Sequence, residues 1–147
     1  MMTRQRENRG FTLLEVMITI VVIAIIAVIV IPRLLNVSRR ARESALREQL
    51  QGVRKAILHF EADCGAWPPV LADIMAANGA AISADQDGNG ISVDRDGYQG
   101  PYLRTAGGGL PADPIARVTN WDYSNRTGDV HSTSGLTALD GTVYSMW

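Results

Sequence analysis

Residues 9–31 read RGFTLLEVMITIVVIAIIAVIVI and contain the longest apolar run of the chain. From Phe11 to Ile31 it is a segment of 21 residues, about 31 Å long as a helix, which matches a hydrocarbon core of about 30 Å. Thr19 is the only polar residue among residues 16–31, and twelve of these sixteen are valine or isoleucine. Such residues form helices poorly in water, but lipid requires a spanning segment to pair its backbone polar groups internally. The stretch therefore predicts a membrane-spanning helix.

The apolar run differs from a cleaved secretory signal peptide in both its length and its end. Signal peptides have an apolar region of about 7–15 residues that ends in a small-residue cleavage site. Here the run ends in Ile31-Pro32-Arg33, and a helical pattern continues beyond it. We therefore expect the apolar segment to remain in the protein as an anchor.

Beyond Pro32 the pattern becomes that of an amphipathic helix. Apolar residues recur at spacings of 4, 3, 4 and 3, and they are Leu46, Leu50, Val53, Ile57 and Phe60. Charged side chains fall on the other faces. We expect the helix to continue to Ala62, with a bend near Pro32 because proline lacks the backbone donor and clashes with the preceding turn. Residues 11–62 thus form one stem, whose second half presents an apolar stripe to a globular head.

Charge is distributed unevenly along the chain of 147 residues. The formal net charge is −1, but residues 1–62 carry ten basic and five acidic side chains, whereas residues 63–147 carry four and ten. The second half is therefore acidic, and its aromatic residues are not interleaved with Lys or Arg, which gives little support to nucleic-acid binding. With 46% hydrophobic and 20% charged residues, the chain also lacks the composition of a disordered or collagen-like protein.

A head of residues 63–147 follows the stem. Residues 64–69 end the long helix, and residues 70–77 are expected to form a short helix that Asn78-Gly79 ends. Turn dipeptides then separate four candidate strands, at residues 91–93, 120–123, 130–132 and 142–147. The expected fold class is α+β, with a long kinked N-terminal helix packed against a small antiparallel sheet of about three strands.

The junction of leader and apolar run, Arg9-Gly10-Phe11-Thr12-Leu13-Leu14-Glu15-Val16-Met17, resembles that of type IV prepilins, the family of type IV pilins and type II secretion pseudopilins. The matching features are a short basic leader, the glycine, the phenylalanine, the glutamate five residues after the glycine, the apolar run and Pro32. The resemblance implies a leader of residues 1–10, cleavage between Gly10 and Phe11 by a membrane-embedded prepilin peptidase, and methylation of the new Phe11 amine. The alternative is an ordinary signal anchor with an incidental glycine and glutamate, although an isolated carboxylate in an apolar helix is costly.

Glu15 and the Phe11 amine have a physical reason to pair. After cleavage Phe11 carries an α-amine whose ordinary pKa is about 7.7–8, so the amine is largely cationic at neutral pH. An unpaired cation is strongly disfavoured in a bundle of apolar helices, and so is an unpaired carboxylate. The two groups lie one turn apart in the same helix, whereas pairing with the next subunit would set the axial register of an assembly. The residues permit both pairings, and the resemblance implies the intermolecular one, with Glu15 as an assembly residue.

The head resembles that of the major pseudopilin of type II secretion systems. The matching segments are residues 63–68, 100–103, 110–114 and 121–123, which read DCGAWP, GPYL, LPADP and WDY. Cys64 is the single cysteine, so the chain cannot form the disulfide that usually closes the C-terminal loop of major type IV pilins. The chain departs from the pseudopilin pattern at Ile115-Ala116, where Trp-Gly is more common.

The resemblance implies a structural protein, not an enzyme, that polymerises through its stem into a periplasmic pseudopilus for type II secretion. The implied partners are further copies of the chain, minor pseudopilins, the prepilin peptidase and methyltransferase, and an inner-membrane assembly platform with its ATPase, without nucleic acid. The implied location is the bacterial inner membrane, with the head in the periplasm. A pilin of a type IV or DNA-uptake pilus is the alternative. A membrane-tethered enzyme is a more remote one, because the sequence lacks a clustered set of His, Cys or acidic residues.

Four arginines, at positions 33, 39, 40 and 42, follow the apolar run, whereas the leader carries three arginines and one glutamate. The positive-inside rule therefore does not place the leader in the cytoplasm, and the orientation rests on the resemblance. Two interpretations of these arginines remain open: a solvated collar that faces lipid headgroups, and salt bridges between subunits.

Residues 85–96 follow the pattern of a calcium-binding loop, in which oxygen ligands occupy positions 1, 3, 5, 7 and 12 and glycine occupies position 6. The candidate ligands are Asp85, Asp87, Asn89, the Ile91 carbonyl and Asp96. The loop departs from the pattern in having Asp instead of Glu at position 12 and Ser92 at position 8. The alternative is a solvated polar turn. The resemblance implies calcium binding nearer the C-terminal loop, where residues 132–140 offer only Asp140 as a carboxylate.

The remaining candidates for chemistry are few. His59 and His131 have no cysteine or acidic partner at ligand spacing, so we expect no metal-binding or nucleophilic role for them. The glycines of residues 107–109 lack the Lys-Ser/Thr of a phosphate-binding loop. Cys64 is interpreted as a small residue at the helix end, with capture in an interchain disulfide as the alternative.

Overall fold

The computed structural model describes residues 11–147, apart from the side chains of residues 35 and 36. The long helix α1 is followed by a head with little regular structure. The elements in chain order are α1 (Leu13–Cys64), 3₁₀ helices at Leu71–Met75 and Gly79–Ala81, strands β1 (Asp122–Tyr123) and β2 (Val130–His131), and a 3₁₀ helix at Tyr144–Met146. The chain divides into two compact units, Met1–Arg39 and Arg40–Trp147.

Helix α1 confirms the predicted stem within two residues at each end. It has 52 residues and continues through Pro32, so the bend expected there stays a prediction. The helix ends at Cys64, and the next residue, Gly65, has a φ of +70°, a conformation that glycine adopts without steric cost. The Gly65 N–H donates to the Glu61 carbonyl at 2.8 Å and satisfies one of the last carbonyl groups of the helix.

The described part of the first unit is an exposed apolar helix. Every residue from 11 to 34 is exposed except Ala27, which is half-buried. Within residues 11–147, α1 is the one helix that is long and apolar enough to cross a membrane, and none of its apolar segment is buried. This agrees in length and composition with the predicted spanning helix.

The core of the second unit is built on one stripe of α1, as the spacing predicts. The five stripe residues named above are all buried, and they pack with side chains from every part of the head. Those of the head include Leu71, Ile74, Ile82, Val93, Trp121, Val130 and Tyr144. Aromatic rings close one end of this core, where Phe60 contacts Tyr98 and Tyr102 edge to face at 5.8 and 6.2 Å between ring centroids.

The antiparallel sheet has two strands in the described residues, not the three that were expected. Strand β1 pairs with β2 through Asp122 opposite His131 and Tyr123 opposite Val130. The prediction of strands at residues 91–93 and 142–147 is wrong. The first segment forms an isolated bridge between Gln86 and Ser92. The second pairs within its own loop and ends in a 3₁₀ turn, so its backbone groups are satisfied locally.

The short helix expected at residues 70–77 is a 3₁₀ helix followed by a second 3₁₀ turn. The carboxylate of Asp73 explains why this segment stays in short turns. It accepts the Val70 N–H at 3.0 Å, the Ser83 N–H at 3.0 Å and the Ser83 hydroxyl at 2.7 Å. One buried side chain thus ties both ends of the segment together.

Asp113 organises the loop between residues 110 and 120 in the same way. Its side chain is buried, and Oδ1 accepts the N–H groups of Ile115 and Ala116 at 2.6 and 2.9 Å. Its second carboxylate oxygen, Oδ2, accepts the Ser132 hydroxyl, which links the loop to the residue after β2. The Asp113 carboxylate therefore accepts the hydrogen bonds that hold this loop, which has no strand partner among the described residues.

We predict that Asp113→Ala lowers the free energy of unfolding by roughly 2–4 kcal/mol, because it leaves buried N–H and hydroxyl donors without an acceptor. Urea unfolding of the full chain in detergent micelles measures this change. Asp122→Ala is the matched control, since Asp122 is exposed and such changes usually stay within about 0.5 kcal/mol. Equal losses in the two variants would contradict the role of Asp113.

Candidate functional site

Thr12 caps the N-terminus of α1 next to the predicted processing site. The Glu15 N–H donates to Thr12 Oγ1 at 3.3 Å and to the Thr12 carbonyl at 3.1 Å. A threonine followed three residues later by a glutamate is the spacing of a helix capping box. Sequence reasoning missed this role of Thr12, although the Thr-x-x-Glu spacing was there to be seen.

Glu15 lies in the first turn of α1 and its side chain is exposed. A carboxylate is favoured at this position because the unpaired N–H groups of the first turn carry partial positive charge. Within residues 11–147 no ion pair involves Glu15. Pairing of this carboxylate with the Phe11 amine, of the same chain or of a neighbouring copy, stays a prediction.

Phe11 lies immediately before the helix and is 79% exposed. An exposed residue outside regular structure is accessible to a processing enzyme. Gly10 and the rest of the leader, residues 1–10, lie outside the described residues. Cleavage after Gly10 and methylation of Phe11 stay predictions.

The one polar side chain of the apolar segment forms a hydrogen bond within its own helix. Thr19, its polar residue, donates its hydroxyl to the Val16 carbonyl at 2.8 Å. This bond satisfies the hydroxyl within its own helix, so the residue is compatible with a hydrocarbon environment.

Among the described residues, the predicted carboxylate ligands Asp85, Asp87 and Asp96 do not form a group that could hold a metal ion. Asp85 forms an ion pair with Arg95 at 2.9 Å. Asp96 is exposed, and its N–H donates to the carboxylate of Asp94 at 3.1 Å. Among the residues that the structure describes, no group of three or more His, Cys, Asp or Glu side chains could hold a metal ion.

Asp87 and Ile91 instead close the loop on itself. Asp87 Oδ1 accepts the N–H groups of Asn89 and Ile91 at 2.8 and 2.9 Å, and the Ile91 carbonyl accepts the Asp87 N–H at 2.9 Å. The Asn89 side chain donates to the Arg126 carbonyl at 2.7 Å. Burial raises the pKa of Asp87, but the N–H groups of Ile91, Asn89 and Trp67 outweigh this effect and hold the pKa below its usual range. The loop thus matches the polar turn, and calcium binding stays a prediction.

Calcium binding at this loop is tested by comparing the full chain in about 1 mM calcium and in EGTA. For a site with a Kd of about 10⁻⁴ M, calcium should raise the free energy of unfolding by about 1.4 kcal/mol, measured by thermal unfolding in micelles. Asp87→Ala should remove this increment and, because Oδ1 is lost as an acceptor, should also destabilise the protein by roughly 1–3 kcal/mol in EGTA. Equal melting temperatures of the unmodified chain in both solutions would contradict calcium binding.

Cys64 is buried at the end of α1 and packs in the core. Burial, together with the nearby Asp63 and Asp94 carboxylates, raises the pKa of its thiol to about 11. The thiolate is the reactive form of cysteine, so this residue matches the structural interpretation and not that of an interchain disulfide.

The two histidines do not belong to a group of metal-ligating side chains within residues 11–147. His59 is exposed on α1 and stacks on Tyr102 with 6.4 Å between ring centroids. His131 lies in β2 opposite Asp122, which is itself exposed. Neither has the set of acidic or cysteine neighbours that a metal centre needs within residues 11–147.

Known proteins are similar to this chain in its N-terminal motif and over longer segments. The family model described as the prokaryotic N-terminal methylation motif matches residues 5–31. A fimbrial protein EcpC of Eikenella corrodens is 34% identical over 101 residues, which are 69% of this chain and 64% of that protein. This chain thus spans just under two thirds of that relative's length.

Two further relatives extend the similarity to most of the chain. The type II secretion system core protein G of Pseudomonas aeruginosa is 25% identical over 76% of this chain and 70% of its own. That of Escherichia coli K12 is 26% identical over 82% of this chain and 95% of its own. No solved structure gives a significant match.

An apolar N-terminal helix with a methylation motif, joined to a small α+β head, defines the class of pilin-like proteins. The chain carries the N-terminal methylation motif at residues 5–31, and its homologues include proteins named type II secretion system core protein G, the major pseudopilin. Pseudopilins are structural proteins and not enzymes, and the apolar helix and methylation motif of this chain are consistent with anchoring in the inner membrane.

Proposed function

We propose that this chain is the subunit of a periplasmic pseudopilus that drives type II protein secretion. The observation that carries the proposal is the methylation motif at residues 5–31 in a chain whose homologues include core protein G of two bacteria over 70% and 95% of their lengths. The subunit is inserted in the inner membrane with its head in the periplasm, and it assembles with other copies of itself.

The exposed apolar helix supports assembly through the stem. Outside the bilayer, a fully apolar segment of this length has to be covered by other apolar surface, because leaving it in water is unfavourable by about 25 cal/mol per Å². Equivalent helices of other copies supply such a surface. The apolar core of the second unit, in contrast, is already buried within residues 40–147.

Glu15 supports a defined register in that assembly. A carboxylate in an apolar bundle is stabilised by a cation, and the mature Phe11 amine supplies one at each subunit. If Glu15 of one subunit takes the amine of the next, the pair neutralises both charges only when the copies are correctly aligned.

The other partners follow from the proposed function. They are a prepilin peptidase that also methylates Phe11, minor pseudopilins, and an inner-membrane assembly platform with its ATPase. Proteins named core protein G belong, by that name, to a secretion machine of this kind.

A pilin of a type IV or DNA-uptake pilus is the second candidate function. The fimbrial relative at 34% identity favours it. The two functions differ in what a deletion strain loses: secreted proteins in the medium, or surface pili with DNA uptake. Loss of secreted proteins with pili and uptake intact is the result we expect.

Processing should yield a mature chain that starts at Phe11. Removal of residues 1–10 takes away three arginines and one glutamate and changes the formal net charge from −1 to −3. Intact-mass spectrometry of the membrane-extracted protein measures the new N-terminus and the added methyl group. Gly10→Val is the control that should retain the leader. A chain that keeps its leader in cells with an active prepilin peptidase would refute this prediction.

Glu15→Leu should leave membrane insertion and cleavage intact, because it makes the helix more apolar. Filament growth should stop, since each incoming amine is left unpaired at a cost of about 3–5 kcal/mol. Sheared filaments are quantified by immunoblot after overproduction, with Glu15→Asp as the charge-preserving control. Filaments of Glu15→Leu at the unmodified yield would show that Glu15 does not set the register.

A further inference from the structure

Residues 136–146 form a closed loop near the end of the chain, here called the C-terminal loop. The Ala138 N–H donates to the Thr142 carbonyl at 2.7 Å, and the Tyr144 N–H donates to the Leu136 carbonyl at 3.1 Å. Thr137 and Val143 form an isolated bridge between these two bonds. The loop therefore has a defined shape and presents a fixed set of side chains.

Three large apolar side chains of this loop are exposed. Met146 is 78% exposed, Leu136 63% and Leu139 42%. Met146 and Leu136 are the two most exposed large apolar residues among the described residues of the second unit. Single exposed apolar residues are ordinary, but three in one short, ordered loop concentrate apolar surface there, and this set of side chains is here called the apolar patch.

The C-terminal loop is attached to the first turns of the α1 segment in the second unit. Glu43 Oε1 accepts the Leu139 N–H at 2.8 Å and the Tyr144 hydroxyl at 2.7 Å. One turn further along, Arg47 pairs with Asp140 at 3.1 Å, which neutralises the carboxylate of the loop. The apolar patch thus lies beside residues 43–47 of α1, with its own acidic group already paired.

Two exposed arginines adjoin this attachment. Arg40 precedes Glu43 by three residues, so the two side chains lie on the same face of the helix, and Arg42 is the immediate neighbour of Glu43. Neither arginine has a hydrogen bond or ion pair with the residues that the structure describes. Two arginines that make no ion pair among the described residues thus lie within one helical turn of Glu43, the residue that binds the C-terminal loop.

We propose that the C-terminal loop, together with Arg40 and Arg42, docks the head on an anionic phospholipid surface. Apolar side chains next to cations are the combination that binds the interface between lipid headgroups and acyl chains. The apolar side chains enter the acyl layer, and the cations contact the phosphate groups. The chain already carries an apolar helix that can span a bilayer, so a lipid surface is within reach of every unassembled subunit. The proposal rests on membrane anchoring and not on assembly into a filament.

The test measures how close the loop lies to lipid in the full mature chain, reconstituted in vesicles at less than one chain per vesicle. A bimane label is attached to Met146→Cys and, as the matched control, to Ile91→Cys. Ile91 is also exposed, but its loop is tied through Asp94 to the Cys64 carbonyl, about 31 Å along α1 from Glu43. Cys64 itself is buried, so the unmodified chain gives the labelling blank.

In vesicles of equal phosphatidylglycerol and phosphatidylcholine, nitroxide lipids should quench the label at position 146 at least about threefold more than the label at position 91. Replacing both Arg40 and Arg42 by Gln should weaken the docking equilibrium roughly tenfold or more. Docking of the chain with both arginines intact should be weakened to the same extent in vesicles of pure phosphatidylcholine, which carry no net charge.

Three results would overturn the proposal. The first is equal quenching at positions 146 and 91. The second is quenching at position 146 that changes neither with the arginine variants nor with lipid charge. The third is quenching that appears only at high protein density, which would assign the patch to a second copy of the chain. Filament yield is measured separately, so failure of docking and failure of the proposed function are distinguishable.

Discussion

The head depends on burial of the apolar stripe of α1, because it has almost no regular structure of its own. Its sheet consists of two strands of two residues each, which cannot form an independent core. The stripe supplies one rigid wall, and the loops contribute single side chains such as Ile74, Val130 and Tyr144 to it. Each loop is thus held by what it packs against on the helix and not by its neighbours in a sheet.

Carboxylates supply the hydrogen bonds that a larger sheet would otherwise provide. Asp73, Asp87 and Asp113 each accept two backbone N–H groups of their own loops, and Glu43 accepts one from the C-terminal loop. Three of the ten carboxylates in residues 63–147 therefore have a structural explanation. The acidic composition of residues 63–147 is therefore not by itself a sign of a metal site or of a cationic substrate.

The amphipathic spacing of the stem predicted the structure well, whereas the short turn-rich patterns of the head did not. The spacing from Leu46 to Phe60 predicted both the helix and its buried face. The strand at residues 142–147 was wrongly predicted because its partner is its own loop and not another strand. The calcium loop was ambiguous because Asp and Asn close polar turns with the same spacing with which they bind calcium. Glu43 and Tyr144 form a hydrogen bond although they are 101 positions apart. The residues around each of them contain no pattern that predicts this contact.

That separation between Glu43 and Tyr144 also bears on how the chain folds during synthesis. At about 5–20 residues per second, the ribosome needs roughly 5–20 s to add the intervening residues. During this time the stripe of α1 is already made, but Val130 and Tyr144, which cover part of it, are not. The nascent subunit therefore exposes a second apolar helix face, the stripe from Leu46 to Phe60, until the last of the residues that cover it have been made.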